Sequence, residues 1–180
     1  MLNDDCRDLI LKRLDTPSLV SLSRVSRAAS ALVPPYLARR VHVNGEGGED
    51  AKRIQSFCTW VLSKRVADRT KVLSITHYPA FDWRHGYEME PVPFYAGALA
   101  DVLAMASSLQ SITLELTAAD VFFYEPRIIS SLSALSSLIL VSASEAALNA
   151  VSSLQQLRSF FLDRSRTQQH GETKLLRKLG

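Results

Sequence analysis

A chain of 180 residues with 47% hydrophobic and 22% charged side chains has the composition of an ordinary globular protein, either one domain or a small one followed by a medium one. A chain of this length buries roughly 70% of its unfolded surface, so it needs no disulfide framework or structural metal to fold. The net charge of +3 sits in residues 1–43, where seven Lys and Arg stand against four Asp, and the remainder balances.

The two cysteines, Cys6 and Cys58, form no C-x-x-C pair and both fall in apolar helical patterns, which suits a reducing compartment. No window reaches the ~18 apolar residues of a membrane span. Met1 leads into Asp4 and Asp5 rather than into the basic stretch and apolar core of a signal sequence. A cytoplasmic or nuclear protein with no membrane partner is expected. The basic N-terminal charges have no aromatic or Gly-rich companions, so they read as a solvated face rather than a nucleic-acid site.

Asn3 is a good N-cap for a first helix, with Asp4 and Asp5 at the positive end of its dipole and Lys12 and Arg13 in its last turn. Cys6, Leu9, Ile10 and Leu14 make its apolar stripe and leave Leu11 off it. Thr16-Pro17 restarts the chain, Thr as N-cap and Pro at the first helical position, and Leu19, Leu22 and Val25 line one side of this second helix. A third helical pattern runs from Arg27 to Val33 and is stopped by Pro34-Pro35. Arg39 to Val43 alternates as a short strand.

Gly45, Gly47 and Gly48 mark the strongest break, and a domain boundary is placed there. Ile54, Phe57, Cys58, Val61, Leu62 and Val66 then form a helical stripe, with Trp60 off it. Beyond residue 70, strand patterns (71–76, 111–116, 137–142, 158–162) alternate with helical ones (96–106, 126–135, 145–154), and residues 171–180 could hold a short basic helix. Leu109-x-x-Ile112-x-Leu114, Leu135-x-x-Leu138-x-Leu140 and Leu157-x-x-Phe160-x-Leu162 share one pattern, and Thr70-x-x-Leu73-x-Ile75 is a looser copy. Their spacings of 26 and 22 residues fall in the ~20–29 residue range of leucine-rich repeats, and the first spacing, 39, carries an inserted loop. The expected fold class is α/β: a three-helix module over 1–43, a linker and connecting helix over 44–69, a short strand–helix repeat resembling a leucine-rich-repeat solenoid over 70–165, and a tail over 166–180.

No catalytic constellation is present: the sequence holds no G-x-S-x-G, phosphate loop, dinucleotide fingerprint or H-E-x-x-H. A non-enzyme without a cofactor is expected. His77, His85, Glu88 and Glu90 share a loop, but their loose spacing favours solvated residues over zinc ligands, and no metal site is assigned. The loop from Tyr78 to Tyr95 concentrates aromatics beside Arg84, the residue types of binding hot spots. Phe81 and Trp83 lean toward packing, and Tyr87 and Tyr95 toward a partner; Trp83, Tyr87 and Tyr95 are the candidate target contacts.

Leu2, Leu9, Ile10, Leu14, Asp15, Pro17, Leu19, Leu22, Val25, Ser26 and Arg27 carry a resemblance to the F-box, most specifically in Leu14-Asp15-x-Pro17-x-Leu19 followed by Leu22-x-x-Val25-Ser26-Arg27. The run from Pro35 through Val43 resembles the exit of fungal F-box proteins into their substrate domain. Asn3 stands where the family usually has Pro, and Ala29 where it usually has an aromatic residue. The resemblance implies a substrate receptor of a Skp–cullin–F-box ubiquitin ligase. Leu2, Leu9, Ile10, Leu14, Pro17, Leu19, Leu22 and Val25 would form the docking surface for a Skp-type adaptor together with the module's own core. A cullin would be reached through the adaptor, and a target protein would bind the repeat domain. The rival readings are a repeat scaffold unconnected to ubiquitin ligases, a truncated or degenerate F-box protein, and an α/β enzyme fragment.

Overall fold

Asn3 opens helix α1 (Asp4–Arg13): its side-chain oxygen accepts the amides of Asp5 and Cys6 at 2.6 and 3.4 Å. This computed structural model describes residues 3–44, 50–78, 80–82, 87–89, 93–132, 135–154 and 157–163. Helix α2 (Thr16–Ser23) is capped by Asp15 rather than Thr16. The Asp15 carboxylate accepts the Ser18 amide at 2.9 Å, which places Thr16 and Pro17 inside the first turn. Ser26 caps α3 (Arg27–Leu32) by accepting the Ala29 amide at 3.1 Å. The two prolines end α3 and also begin a one-turn helix, α4 (Pro34–Leu37), since the first turn needs no amide donor.

These helices enclose a small core of Leu11, Leu19 and Val33, with Leu14, Leu22, Tyr36 and Leu37 packed around it. Leu11, expected off the apolar stripe, is 5% exposed, and α1 instead turns Leu9 and Ile10 outward.

The larger core begins at Ala38. Strand β1 (Arg40–Asn44) is the first of a five-stranded parallel sheet ordered β1, β2 (Val72–His77), β5 (Ser111–Leu116), β6 (Ser137–Val141) and β7 (Ser159–Asp163). The sheet therefore starts at Arg40, ahead of the boundary expected at the glycines, because β1 pairs with β2 rather than closing the helical module. Residues 45–49 lie outside the described residues. A short antiparallel pair, β3 (Ala80–Asp82) and β4 (Tyr87–Met89), is inserted after β2 in a stretch whose sequence gives no strand pattern.

Helix α5 (Asp50–Lys64) joins β1 to β2, α6 (Ala96–Met105) precedes β5, α7 (Val121–Tyr124) and α8 (Arg127–Ser131) join β5 to β6, and α9 (Glu145–Val151) joins β6 to β7. Helix α5 packs on α6, α6 on α8 and α7 on α9. The strands present one face to them, buried across β2, β5 and β6. Leu73, Ile112, Leu138 and Phe160 are in register across the sheet, as are Ile75, Leu114, Leu140 and Leu162. Between these two columns, Ser74, Thr113, Ile139 and Phe161 form a third on the opposite face, which is only partly covered.

Each strand starts in the same way. The carbonyl of Arg39 accepts the amides of Lys71 and Val72; that of Lys71 accepts Gln110 and Ser111; that of Gln110 accepts Ser136 and Ser137; that of Ser136 accepts Arg158 and Ser159. The residue just before each of these, Ala38, Thr70, Leu109, Leu135 or Leu157, is buried. Two residues with positive φ also occupy equivalent places, Leu116 at the end of β5 and Ser142 just after β6, with φ of 60° and 58°.

Thr70 is the polar exception in that buried series: it is 0% exposed and its hydroxyl has no hydrogen-bond partner among the described residues. An unpaired buried hydroxyl costs about 1–3 kcal/mol. Thr70→Val keeps the shape and removes the hydroxyl, so a rise in stability of about 1 kcal/mol is expected in urea denaturation. A loss of stability would show that Thr70 has a partner beyond the described residues.

Candidate functional site

The first four helices leave their apolar surface divided in two. The inward part is the small core; the outward part is Leu9 at 59%, Ile10 at 50% and Val25 at 75% exposure, with Leu32 at 38%. A helix of ten residues packed on one side cannot bury both Leu9-Ile10 and Leu11-Leu14, and the packing of α2 and α4 selects the second pair. Of the eight residues expected to meet an adaptor, Leu9, Ile10, Pro17 and Val25 are exposed, and Leu14 and Leu22 are half-buried. Leu19 is 3% exposed and holds the module together instead of facing out. Leu2 lies outside the described residues. Ala29 is half-buried, so no large side chain projects from that position.

Polar contacts fix α1 against α4. The Tyr36 hydroxyl donates to Asp8 Oδ1 at 2.8 Å, and Lys12 pairs with the other carboxylate oxygen. Lys12 first, then Tyr36, hold the Asp8 carboxyl below its ordinary range; burial first, then Asp8, push the Tyr36 hydroxyl above its own, which keeps it a donor. Hydrogen bonds from Ser18 likewise lower Asp15.

Both carboxyls are depressed in the folded state. Their contribution is therefore complete above the unfolded aspartate value, about 3.9, and is lost as pH falls through the lower folded values. Thermal denaturation at a series of acid pH values is expected to show this loss beginning below about pH 4. Asn caps as well as Asp but does not titrate, so Asp15→Asn is expected to flatten the acid limb. An unchanged limb would show that the cap contributes nothing to it.

The aromatic loop behaves differently from its sequence reading. Tyr95 is 0% exposed, and its hydroxyl lies 3.0 Å from His77 Nδ1 with the rings edge to face. Tyr95 thus belongs to the core and does not present itself to a partner; the apolar start of α6 draws it inward. Trp83 and His85 lie outside the described residues, as does Glu90, and Tyr87 and Glu88 are described only by their place in β4. Among the described residues no cluster of His, Cys, Asp and Glu could hold a metal ion, and no helix is long and apolar enough to cross a membrane. Cys58 is buried, and desolvation pushes its thiol up to about 12, which makes it an inert core residue.

The first helices thus form a small module with a private core and several exposed apolar side chains, joined to a sheet domain. The F-box domain model matches residues 1–34, the span of α1 to α3 and the first residue of α4. That match assigns the first three helices to an F-box domain, about a fifth of the chain. No curated protein and no solved structure matches the chain.

The sequence reading did not single out Phe123 and Tyr124 of α7, which are 59% and 40% exposed; Phe94, one of the aromatics of the 78–95 loop, is 61% exposed. The signal was the apolar run Val121–Tyr124 set between Asp120 and Glu125.

Proposed function

We propose that this chain is the substrate-recognition subunit of a Skp–cullin–F-box ubiquitin ligase, acting in the cytoplasm or nucleus. The helical module holds the Skp adaptor and through it the cullin. The sheet domain holds a target protein, with Trp83 and Tyr87 as candidate contacts. The chain would carry no active site of its own: tethering a target beside the transferring machinery raises its effective concentration and makes transfer effectively intramolecular.

The observation that carries this reading is the exposure of Leu9, Ile10 and Val25 on a segment matched as an F-box, whose own core is already filled by Leu11, Leu19 and Val33. These three side chains contribute little to that core, and burying each in a partner is worth ~1.5–3 kcal/mol.

The leucine-rich-repeat-like reading of the sheet domain is likewise a proposal. It draws on the recurring carbonyl at each strand start, the two apolar columns in register, and a strand order that never reverses. A reversal of strand order is where the open sheets of α/β enzymes place their ligands.

Co-expression of the full chain with a Skp-type adaptor tests the proposal. A stable complex that survives gel filtration is expected; failure of the two to co-purify would overturn it. A second reading, in which α1–α4 merely cap the first edge of the sheet, draws on the packing of α4 against β1. It requires that the adaptor is not captured.

A further inference from the structure

Helix α7 has one turn and two opposite faces. Val121 and Phe122 are buried, at 0% and 1% exposure, while Phe123 and Tyr124 point outward. The two outward rings meet edge to face, with centroids 5.3 Å apart and planes at 78°. Aromatic rings are the side chains that gain most from burial at an interface, and a paired, exposed set is a marker of one.

Carboxylates flank both ends of this turn. At its start, Asp120 accepts the Ser144 amide at 2.9 Å, which brings it beside the exposed Glu145 that opens α9. At its end, Glu125 takes Arg127 in two hydrogen bonds of 2.9 and 3.0 Å, and Arg127 also lies 3.6 Å from Asp101 of α6. On these flanks four carboxylates, Asp101, Asp120, Glu125 and Glu145, thus stand against the single guanidinium of Arg127. The bias extends along the chain: residues 72–157 hold two Lys and Arg against eight Asp and Glu, whereas the rest holds nineteen against ten. These opposite balances, −6 and +9, are merged in the net charge of +3.

A negative field around exposed rings selects cations. Lys and Arg are attracted to the faces of Phe and Tyr, and carboxylates nearby raise their local concentration. We propose that the outward face of α7, with its flanks on α6 and α9, docks a basic segment of a partner protein that carries an apolar anchor. The anchor and a cation pack on Phe123 and Tyr124, and the carboxylates steer the approach. Nucleic acid and phosphorylated segments are opposed by the sign of the charge. This deepens the substrate-receptor reading, on which it rests, by giving the target's chemistry.

Fluorescence anisotropy of the full chain, co-expressed with the adaptor, tests it with a labelled synthetic peptide of Lys and Leu and a twin in which Glu replaces every Lys. The basic peptide is expected to bind and the acidic twin not to. Phe123→Ser with Tyr124→Ser is expected to weaken binding by about tenfold or more, and added salt to weaken it further. Equal binding of the two peptides, or no effect of the double substitution, would overturn the proposal. So would a several-fold gain in binding on deleting residues 164–180, which would make the chain's own tail the occupant. A dimer in low salt that the double substitution disperses would assign the face to a second copy and overturn it equally. The same samples report adaptor capture. Capture without peptide binding removes this inference alone; peptide binding without capture removes the ligase reading alone.

Discussion

Replacing Leu9 and Ile10 together by Asp is expected to abolish capture of a Skp-type adaptor while leaving the folded chain intact. The two side chains are 59% and 50% exposed, so their loss removes little packing from the module itself. An interface that buries both would lose ~3 kcal/mol or more, or about a hundredfold in affinity. Two carboxylates near the C-terminal end of α1 also oppose its dipole, at ~0.3–1 kcal/mol each. Leu9→Ser with Ile10→Ser therefore serves as the uncharged companion, expected to keep the melting temperature and still weaken capture. Leu14 and Leu22 are a poorer pair for this purpose. They are half-buried against Leu11, Leu19 and Val33, so charges there would collapse the module and mimic a docking defect. Melting curves and adaptor pull-downs on the same preparations separate the two effects. A Leu9/Ile10 variant that melts and binds like the parent would remove the docking face.

Much of this architecture was legible because local chemistry and tertiary packing agree. Asn3 caps where its side chain can reach amides two and three residues on, and the strands announce themselves as L-x-x-L-x-L. The failures come where two local solutions compete. Asp15 and Thr16 are both good caps, and only the structure shows which side chain reaches the Ser18 amide. Leu9-Ile10 and Leu11-Leu14 are overlapping stripes on one short helix, and periodicity cannot say which meets α2 and α4. The first copy of the strand pattern, Ala38-x-x-Val41-x-Val43, begins with Ala in place of Leu, so β1 reads as the end of the helical module rather than the start of the sheet. Tyr95 looks like a loop aromatic by position, yet it sits one residue before α6 and is drawn into the core with the apolar start of that helix. The excess of carboxylates over residues 72–157 was hidden by summation, since a net charge averages over segments of opposite sign.

Leu138→Ala is expected to cost ~2–5 kcal/mol, the range for deleting a large aliphatic side chain from a packed core. Leu138 is 0% exposed and stands in register between Ile112 and Phe160, so its cavity opens in the middle of a column. The damage should also have a direction. A sheet whose strands follow one another in chain order transmits packing chiefly between neighbours. Strand β7 lies at the described edge and pairs with β6 alone, and it already exposes Phe160 at 40% and Phe161 at 48%. Amide hydrogen exchange should therefore lose protection first over Ser159–Asp163, then over β6, with Val41–Val43 and Leu73–Ile75 least affected. Phe161→Ala, on the exposed face of the same edge, should change stability far less, because water already covers about half of that side chain. An equal loss of protection from β1 to β7 in the Leu138→Ala protein would mean that the sheet opens as a single cooperative unit. In that case the recurring strand starts would be a geometric likeness without the energetic independence of stacked repeats.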